Sequence, residues 1–301
     1  MKQGIDVASP YQPDTKAYFS EAKRRGYDFA IVKTTESNNY VNPKAGSQLI
    51  NASLSNLDTH TYHFARFASN EQQAVVESDF YVNTLKSLGV SKDSFAMLDF
   101  EEARGTKSAN TVSIITFFRS LINQGYKNVG FYSYLGVKEL WDINKISKAV
   151  TEMGGDFVFW LARYGTEPGM DKVDVWQHSS SELILGVATD TNYDFFDKLV
   201  GKTASKPTPP TSDTFVDNFN VVWHRRKQEF TITAPNGCNL RWGASVNSTL
   251  IATLPKGTTI YTDAYCDANG HRWVRQPREN GFGYMAISGS DGSYGTIKDR
   301  K

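Results

Sequence analysis

The first 200 residues alternate short, almost uninterrupted apolar runs with amphipathic stretches, and this alternation restricts the possible folds more than any other feature of the chain. The runs are residues 4–8 (GIDVA), 28–34 (DFAIVKT), 60–66 (HTYHFAR), 95–101 (FAMLDFE), 129–134 (VGFYSY), 157–162 (FVFWLA) and 173–177 (VDVWQ). Strands this apolar on both faces are buried on both faces, as in a parallel sheet covered by helices. Helical patterns fill residues 15–26, 71–89 and 110–125, and Gly26, Gly89 and Gly125 stand where a helix C-cap belongs. Seven strands alternating with helices predict an α/β fold, a (β/α)8-like barrel rather than an open sheet. No Gly-rich dinucleotide loop follows the first strand, which argues against a Rossmann fold.

The pattern breaks at residues 201–213, GKTASKPTPPTSD, a Pro/Ser/Thr-rich stretch that reads as a semi-extended linker. It divides an N-terminal domain, residues 1–200, from a smaller all-β domain, residues 214–301. There, short alternating segments are punctuated by the turn sequences PNG, ANG and ENG. Net charge is only +1, but unevenly spread: residues 1–200 carry 20 basic and 24 acidic residues, and residues 214–301 carry 11 and 7. The mildly basic C-terminal part suits a polyanionic surface. Its candidate exposed aromatics are Trp223, Trp242, Tyr261, Tyr265, Trp273 and Tyr284. Cys238 and Cys266 are either buried thiols or a disulfide. No segment reaches the roughly 20 apolar residues of a membrane helix, so no membrane insertion is expected.

In a parallel α/β barrel, chemistry sits at the C-terminal ends of the strands. Asp6, Asp99, Glu101 and Asp190 fall at or near such ends. Side chains alternate along a strand, so Asp99 and Glu101 face the same way. Two carboxylates on one face of an apolar strand are costly unless solvated, paired or functional. Close acids raise one another's proton affinity, so one stays protonated near neutral pH, and a protonated acid beside an ionised one is what glycosidic cleavage needs. The competing reading is a pair of strand-end acids that cap the next helix. Asp6 reads equally well as a structural hydrogen-bonding residue and Asp190 as a turn cap. Tyr62, Tyr132, Tyr134, Trp160, Tyr164 and Trp176 cluster near the same strand ends. Of these, Tyr62, Tyr132, Trp160 and Trp176 are the candidates for stacking on sugar rings, with core packing as the alternative.

Taken in order, GIDVASPYQ, FAIVKTTES with YVNPK, YHFAR, MLDFE, GFYSY, FWLARY, VWQH and DTNYDFF resemble glycoside hydrolase family 25, the Chalaropsis-type lysozymes or N-acetylmuramidases, across most of residues 3–197. The resemblance implies cleavage of the β-1,4 bond between N-acetylmuramic acid and N-acetylglucosamine in peptidoglycan. Carried over by position, it makes Glu101 the general acid, Asp99 its partner, and Asp6 and Asp190 the rest of an acidic cleft. It places Arg163 with the four aromatics as substrate-binding. The family's Gly-rich approach to its last Asp is replaced here by GVATD, and Asp194 lies four residues on. The C-terminal part more loosely resembles bacterial SH3-like wall-binding domains of phage endolysins, with peptidoglycan and anionic wall polymers as its expected partners. The opening MKQGIDVASPYQPD lacks an apolar run after Lys2, so it is read as neither secretory signal nor anchor. The protein is accordingly expected in a host cytoplasm, reaching the wall after release. Within the same family, a bacterial autolysin is the alternative.

Other classes fit less well. A cysteine peptidase needs Cys and His in one site, yet Cys238 precedes a strand, with no helix to activate it. A metal-dependent deacetylase needs His ligands among its carboxylates, and His60, His63 and His178 show no ligand spacing. No metal or cofactor is expected. A non-catalytic saccharide-binding protein would not need acids at all four positions. The basic run HRRK, residues 224–227, lacks any accompanying nucleic-acid motif.

Overall fold

The computed structural model describes residues 1–9, 11–201, 213–216, 221–268, 270–278 and 281–300. The chain separates into two compact units, residues 1–209 and 210–301. Of the stretch expected as a linker, residues 202–212 lie outside the described residues.

In the first unit the element order is β1 (Lys2–Val7), α1 (Lys16–Arg24), β2 (Phe29–Glu36), β3 (Tyr40–Val41), α2 (Ala45–Leu54), β4 (Asp58–Phe64), α3 (Glu71–Ser87) and β5 (Ala96–Asp99). It continues with α4 (Lys107–Asn123), β6 (Asn128–Tyr134), a 3₁₀ turn (Leu135–Leu140), α5 (Ile143–Glu152), β7 (Asp156–Ala162), β8 (Val175–Ile184) and β9 (Val187–Asp194). Eight of these strands close a barrel in the order β1-β2-β4-β5-β6-β7-β8-β9, with β9 returning to β1; β3 is a short antiparallel addition to β2.

Local chemistry sets the helix boundaries. The side chains of Thr15, Asn70, Thr106 and Asp142 each accept from a backbone N–H in the first turn of α1, α3, α4 and α5. Gly26, Gly89 and Gly125 adopt φ of +93°, +67° and +91°, the left-handed C-terminal position that a side chain resists. The sequence reading passes over α2 and α5, whose apolar stripes are short, and it misses β9.

That last strand changes the (β/α)8 expectation. β8 and β9 are joined by the tight turn Leu185-Gly186, both residues at positive φ, as a hairpin of right-handed twist requires. β9 therefore runs antiparallel to both β8 and β1, and no α-helix lies between β7 and β8 or between β8 and β9. The barrel has seven mutually parallel strands and one reversed strand.

Alternation along the strands sorts the core. Inward residues, among them Phe29, Ile31, Met97, Val158 and Val175, fill the barrel; outward residues such as Val32, Leu98, Phe131 and Phe159 pack under the helices. Burying each such side chain contributes roughly 1.5–3 kcal/mol. The inward layer becomes polar towards the C-terminal ends of the parallel strands, where Lys33, Asp6, Asp99 and Gln177 replace aliphatic residues.

The second unit is all-β. β10 (Thr214–Val216), β11 (Val222–Ile232), β12 (Cys238–Arg241), β13 (Leu250–Leu254), β14 (Thr259–Ala268), β15 (His271–Arg278) and β16 (Gly281–Gly289) form one sheet in the order β10-β11-β14-β15-β16-β12-β13. β17 (Gly292–Ser293) pairs with β16, and β18 (Gly295–Asp299) pairs with β11. It has its own core, which includes Phe230, Leu240, Ile260, Val274 and Met285. Cys238 and Cys266 are buried and not joined in a disulfide, the first of the two readings above. Trp223 and Trp273, expected at the surface, are buried instead, and Tyr265 and Tyr284 are partly buried. Trp242 and Tyr261 are exposed.

Candidate active site

Asp6 and Asp190 are direct cross-strand partners in the antiparallel β1–β9 pair, so their side chains leave the sheet on the same face. That face is the barrel interior. Their carboxyls are hydrogen-bonded to each other, and Asp6 is only 5% exposed. One oxygen of Asp6, Oδ2, accepts from Gln177 Nε2 at 3.0 Å and from Asn192 Nδ2 at 2.8 Å. The reversed strand thus places Asp190 beside Asp6, although Asp190 is mid-strand rather than in a turn. Asp194 is excluded from this grouping: it pairs in register with Lys2 and caps the turn after β9, accepting from the backbone N–H of Phe196 and Leu199.

Asp99 closes β5, in register with Phe64 of β4 and Tyr132 of β6. Glu101 lies just past the strand, yet the two carboxyls are hydrogen-bonded to each other. Asp99 is 5% exposed, and its Oδ1 has no hydrogen-bond partner among the described residues. Glu101 is only partly buried and, alone among the four acids, lines an open cleft of about 600 Å³. The cleft is walled by Phe64, Glu102, Tyr132, Tyr134, Leu135, Arg163 and Tyr164.

The electrostatics follow from burial. Desolvation raises the proton affinity of all four acids, and most for Asp6 and Asp99. The charge of Asp190 adds to the rise at Asp6, and that of Glu101 to the rise at Asp99. Lys33 opposes it at Asp99 and Glu101; its ammonium is paired with Glu36 at 2.7 Å and stands over the Phe64 ring at 4.7 Å. Two adjoining carboxyls that share a hydrogen bond titrate as a unit, so each pair holds a proton into a range where a lone carboxyl has lost it.

A consequence for stability follows. An acid whose folded pKa lies above its unfolded value, near 4 for Asp and Glu, contributes stability that is fully present below that value. The contribution is lost as pH rises through the folded pKa. Asp99→Asn removes one such group, so its melting temperature relative to wild type is expected to rise steadily between about pH 5 and pH 8. Calorimetry across that range checks this, and a pH-independent difference would contradict it.

The aromatic expectations divide. Tyr132 lines the cleft, with its hydroxyl donating to Gln177 Oε1 at 3.0 Å. Tyr62 and Trp160 are inward but buried, Trp160 to 1% exposure, with the Trp160 ring tilted against Tyr132 at 4.3 Å and edge-to-face with Tyr62 at 6.2 Å. Neither ring is more than 8% exposed, and both pack in the barrel interior. Trp176 is a correction: alternation turns Gln177 inward and Trp176 outward, where it packs with Tyr193 and Phe195 and donates to the Arg163 carbonyl. Arg163 does line the cleft. The rings open to solvent at the cleft are Tyr134 and Tyr164, 38% and 59% exposed. The sequence reading placed both in the strand-end aromatic cluster but left them out of the candidates for stacking on sugar, although Tyr134 shares a strand face with Tyr132. It also missed Gln177 and Asn192, whose signal was their even spacing from Val175 and Asp190. His60 and His63 leave β4 on opposite faces, each in buried hydrogen bonds, His60 with the Leu199 carbonyl and His63 with Glu77.

An eight-stranded α/β barrel with four acids clustered at one end of its strands puts its carboxylates where barrels of this kind carry their chemistry. The sequence model of Glycosyl hydrolases family 25 matches residues 5–187, and the chain belongs to that family. The lysozyme of Streptococcus phage Cp-7 is 27% identical over 187 residues, covering 59% of this chain and 50% of that protein. The lysozyme of Lactococcus phage mv1 is 29% identical over 176 residues, covering 57% and 83%. The chain thus spans half the length of the Cp-7 relative. Among solved structures, the CTP1L endolysin superposes with a TM-score of 0.54 at 24% identity, covering 66% of this chain and 68% of that one. A family 25 glycosyl hydrolase from Bacillus anthracis gives 0.53 at 17%, covering 65% and 89%. These two share the fold.

Proposed function

We propose that the protein is a peptidoglycan muramidase, hydrolysing the β-1,4 bond between N-acetylmuramic acid and N-acetylglucosamine, and that it serves as a phage endolysin against a Gram-positive host. The observation that carries this reading is Glu101, a carboxylic acid of raised proton affinity at the floor of an open cleft, backed by three further acids. In this reading Glu101 protonates the leaving glycosidic oxygen. Asp99, Asp6 and Asp190 supply negative potential to the oxocarbenium-like transition state. The attacking group on the sugar is a carboxylate or the substrate's own 2-acetamido oxygen, an arrangement known in substrate-assisted glycosidases. Tyr134, Tyr164 and Arg163 line the path of the glycan, and burial of Tyr62 and Trp160 assigns those two to shaping the acidic floor. The lysozyme names of the phage relatives support the substrate.

The remaining residues fit a second module. We assign residues 1–200 to catalysis, 201–213 to a linker and 214–301 to an SH3-like domain that binds the wall, through peptidoglycan or anionic wall polymers. Its separate core, its exposed Trp242 and Tyr261 and its basic excess support this. Release to the wall from a cytoplasmic site of synthesis completes the reading.

Mass spectrometry of digested peptidoglycan tests the bond assignment. Products ending in reducing muramic acid are expected. Reducing glucosamine ends would make the enzyme a glucosaminidase, and absence of new reducing ends would reject glycosidic cleavage altogether.

A further inference from the structure

Asp6 is held by a hydrogen-bonded frame that the catalytic scheme above does not use. Its Oδ2 accepts from two carboxamides, and each carboxamide is itself held by an aromatic donor. Trp160 Nε1 donates to Asn192 Oδ1 at 2.8 Å, and Asn192 Nδ2 donates onward to Asp6 at 2.8 Å. An indole N–H can only donate, so the oxygen of Asn192 must face Trp160 and its NH₂ must face Asp6. The amide cannot flip without losing both bonds. Gln177 reads the same way, with its Oε1 accepting from the Tyr132 hydroxyl and its Nε2 donating to Asp6. All four framing side chains are buried, so no water offers an easy substitute.

We propose that Asn192 and Gln177, oriented by Trp160 and Tyr132, are positioning residues that fix Asp6 Oδ2 as an acceptor and so confine the proton shared by Asp6 and Asp190 to the other side of the Asp6 carboxyl, between the two acids. The frame favours ionised Asp6, against the burial and the Asp190 charge that raise its proton affinity. The other groups that face this pair are Asp99 at the end of β5, Glu101 just beyond it, and the hydroxyls of Tyr18, Tyr62, Tyr132 and Tyr164; Lys33 faces Asp99 and Glu101. Among the described residues neither Lys33 nor any of these hydroxyls donates to Asp6 Oδ2, which leaves the two carboxamides as the groups that orient it. The inference rests on the assignment of Asp6 and Asp190 to the catalytic centre.

The test uses Trp160→Phe, which keeps an aromatic ring and removes the N–H, in the full-length protein. Carboxyl carbons of labelled aspartates are titrated by NMR, with Asp6 and Asp190 assigned through their Asn variants. Loss of a hydrogen bond to a charged group should move the titration of the Asp6–Asp190 pair up by roughly one pH unit. On soluble muropeptide, kcat should fall about tenfold, KM should change little, and the pH profile should shift with the titration. Asn192→Leu serves as the second variant should Trp160→Phe unfold, and Asn192→Gln, which keeps the donor, should recover part of the shift. A titration unchanged in both disrupting variants overturns the proposal. So does a shifted titration with kcat per folded molecule intact, because the frame would then be structural. The NMR arm needs no substrate. A wild-type protein that cleaves no glycan would therefore refute the muramidase reading and leave the framing of the proton to be judged by its own measurement.

Discussion

Glu101→Gln is expected to lower turnover of soluble muropeptide by 10²–10⁴-fold, the usual worth of a general acid, with little change in folding. The substitution preserves size and removes only the transferable proton. Glu101 is the acid of the four that lines the cleft, and burial raises its proton affinity, so it keeps its proton to higher pH than a free carboxyl and can deliver it outward. Asp6 and Asp99, at 5% exposure, have the raised affinity without the access. Because the interaction is made in the transition state, kcat and kcat/KM should fall together. Single-turnover measurement on a defined muropeptide decides the matter. Activity within about tenfold of wild type would remove Glu101 from this role, general acids being worth more than that.

Removal of residues 202–301 is expected to cost about 10²-fold on intact cell walls and less than about twofold on soluble muropeptide. A tethered wall-binding module raises the local concentration of the catalytic unit at an insoluble surface, and avidity gains of that order need no new catalytic contact. On a diffusing substrate the tether confers nothing. All four acids and the cleft residues lie in residues 6–190, and each unit has its own buried core, so the truncated protein retains what the chemistry requires. The fused β unit carrying a fluorescent tag should decorate Gram-positive cells. Equal losses on both substrates would mean instead that the second unit only stabilises the first, and a tagged unit that binds no wall would remove the tethering explanation.

The sequence alone determined the parts that local chemistry governs. Doubly buried strands announced themselves as apolar runs, since a strand covered on both faces has no polar period. Helix ends were marked by glycines that the chain needed at positive φ, as at Gly26, Gly89 and Gly125. Period-two alternation placed Asp99 and Glu101 on one side, and they meet in the structure even though Glu101 lies beyond β5. β9 stayed hidden because its inward face carries Asp190, Asn192 and Asp194, which left no apolar run to read. Only the tertiary structure decided that this strand turns back through Leu185-Gly186 and closes the barrel against β1. That closure sets Asp190 rather than Asp194 beside Asp6, and it brings Asn192 and Gln177 to the same carboxylate from distant parts of the chain. Tertiary structure also decided that Trp160 frames the acids, that Trp176 turns out of the barrel to pack with Tyr193 and Phe195, and that Tyr134 and Tyr164 meet solvent. The physical reason is the same in each case: nearness to a strand end is a local property, whereas the direction of a side chain, into the barrel or out of it, is set by how the whole sheet closes.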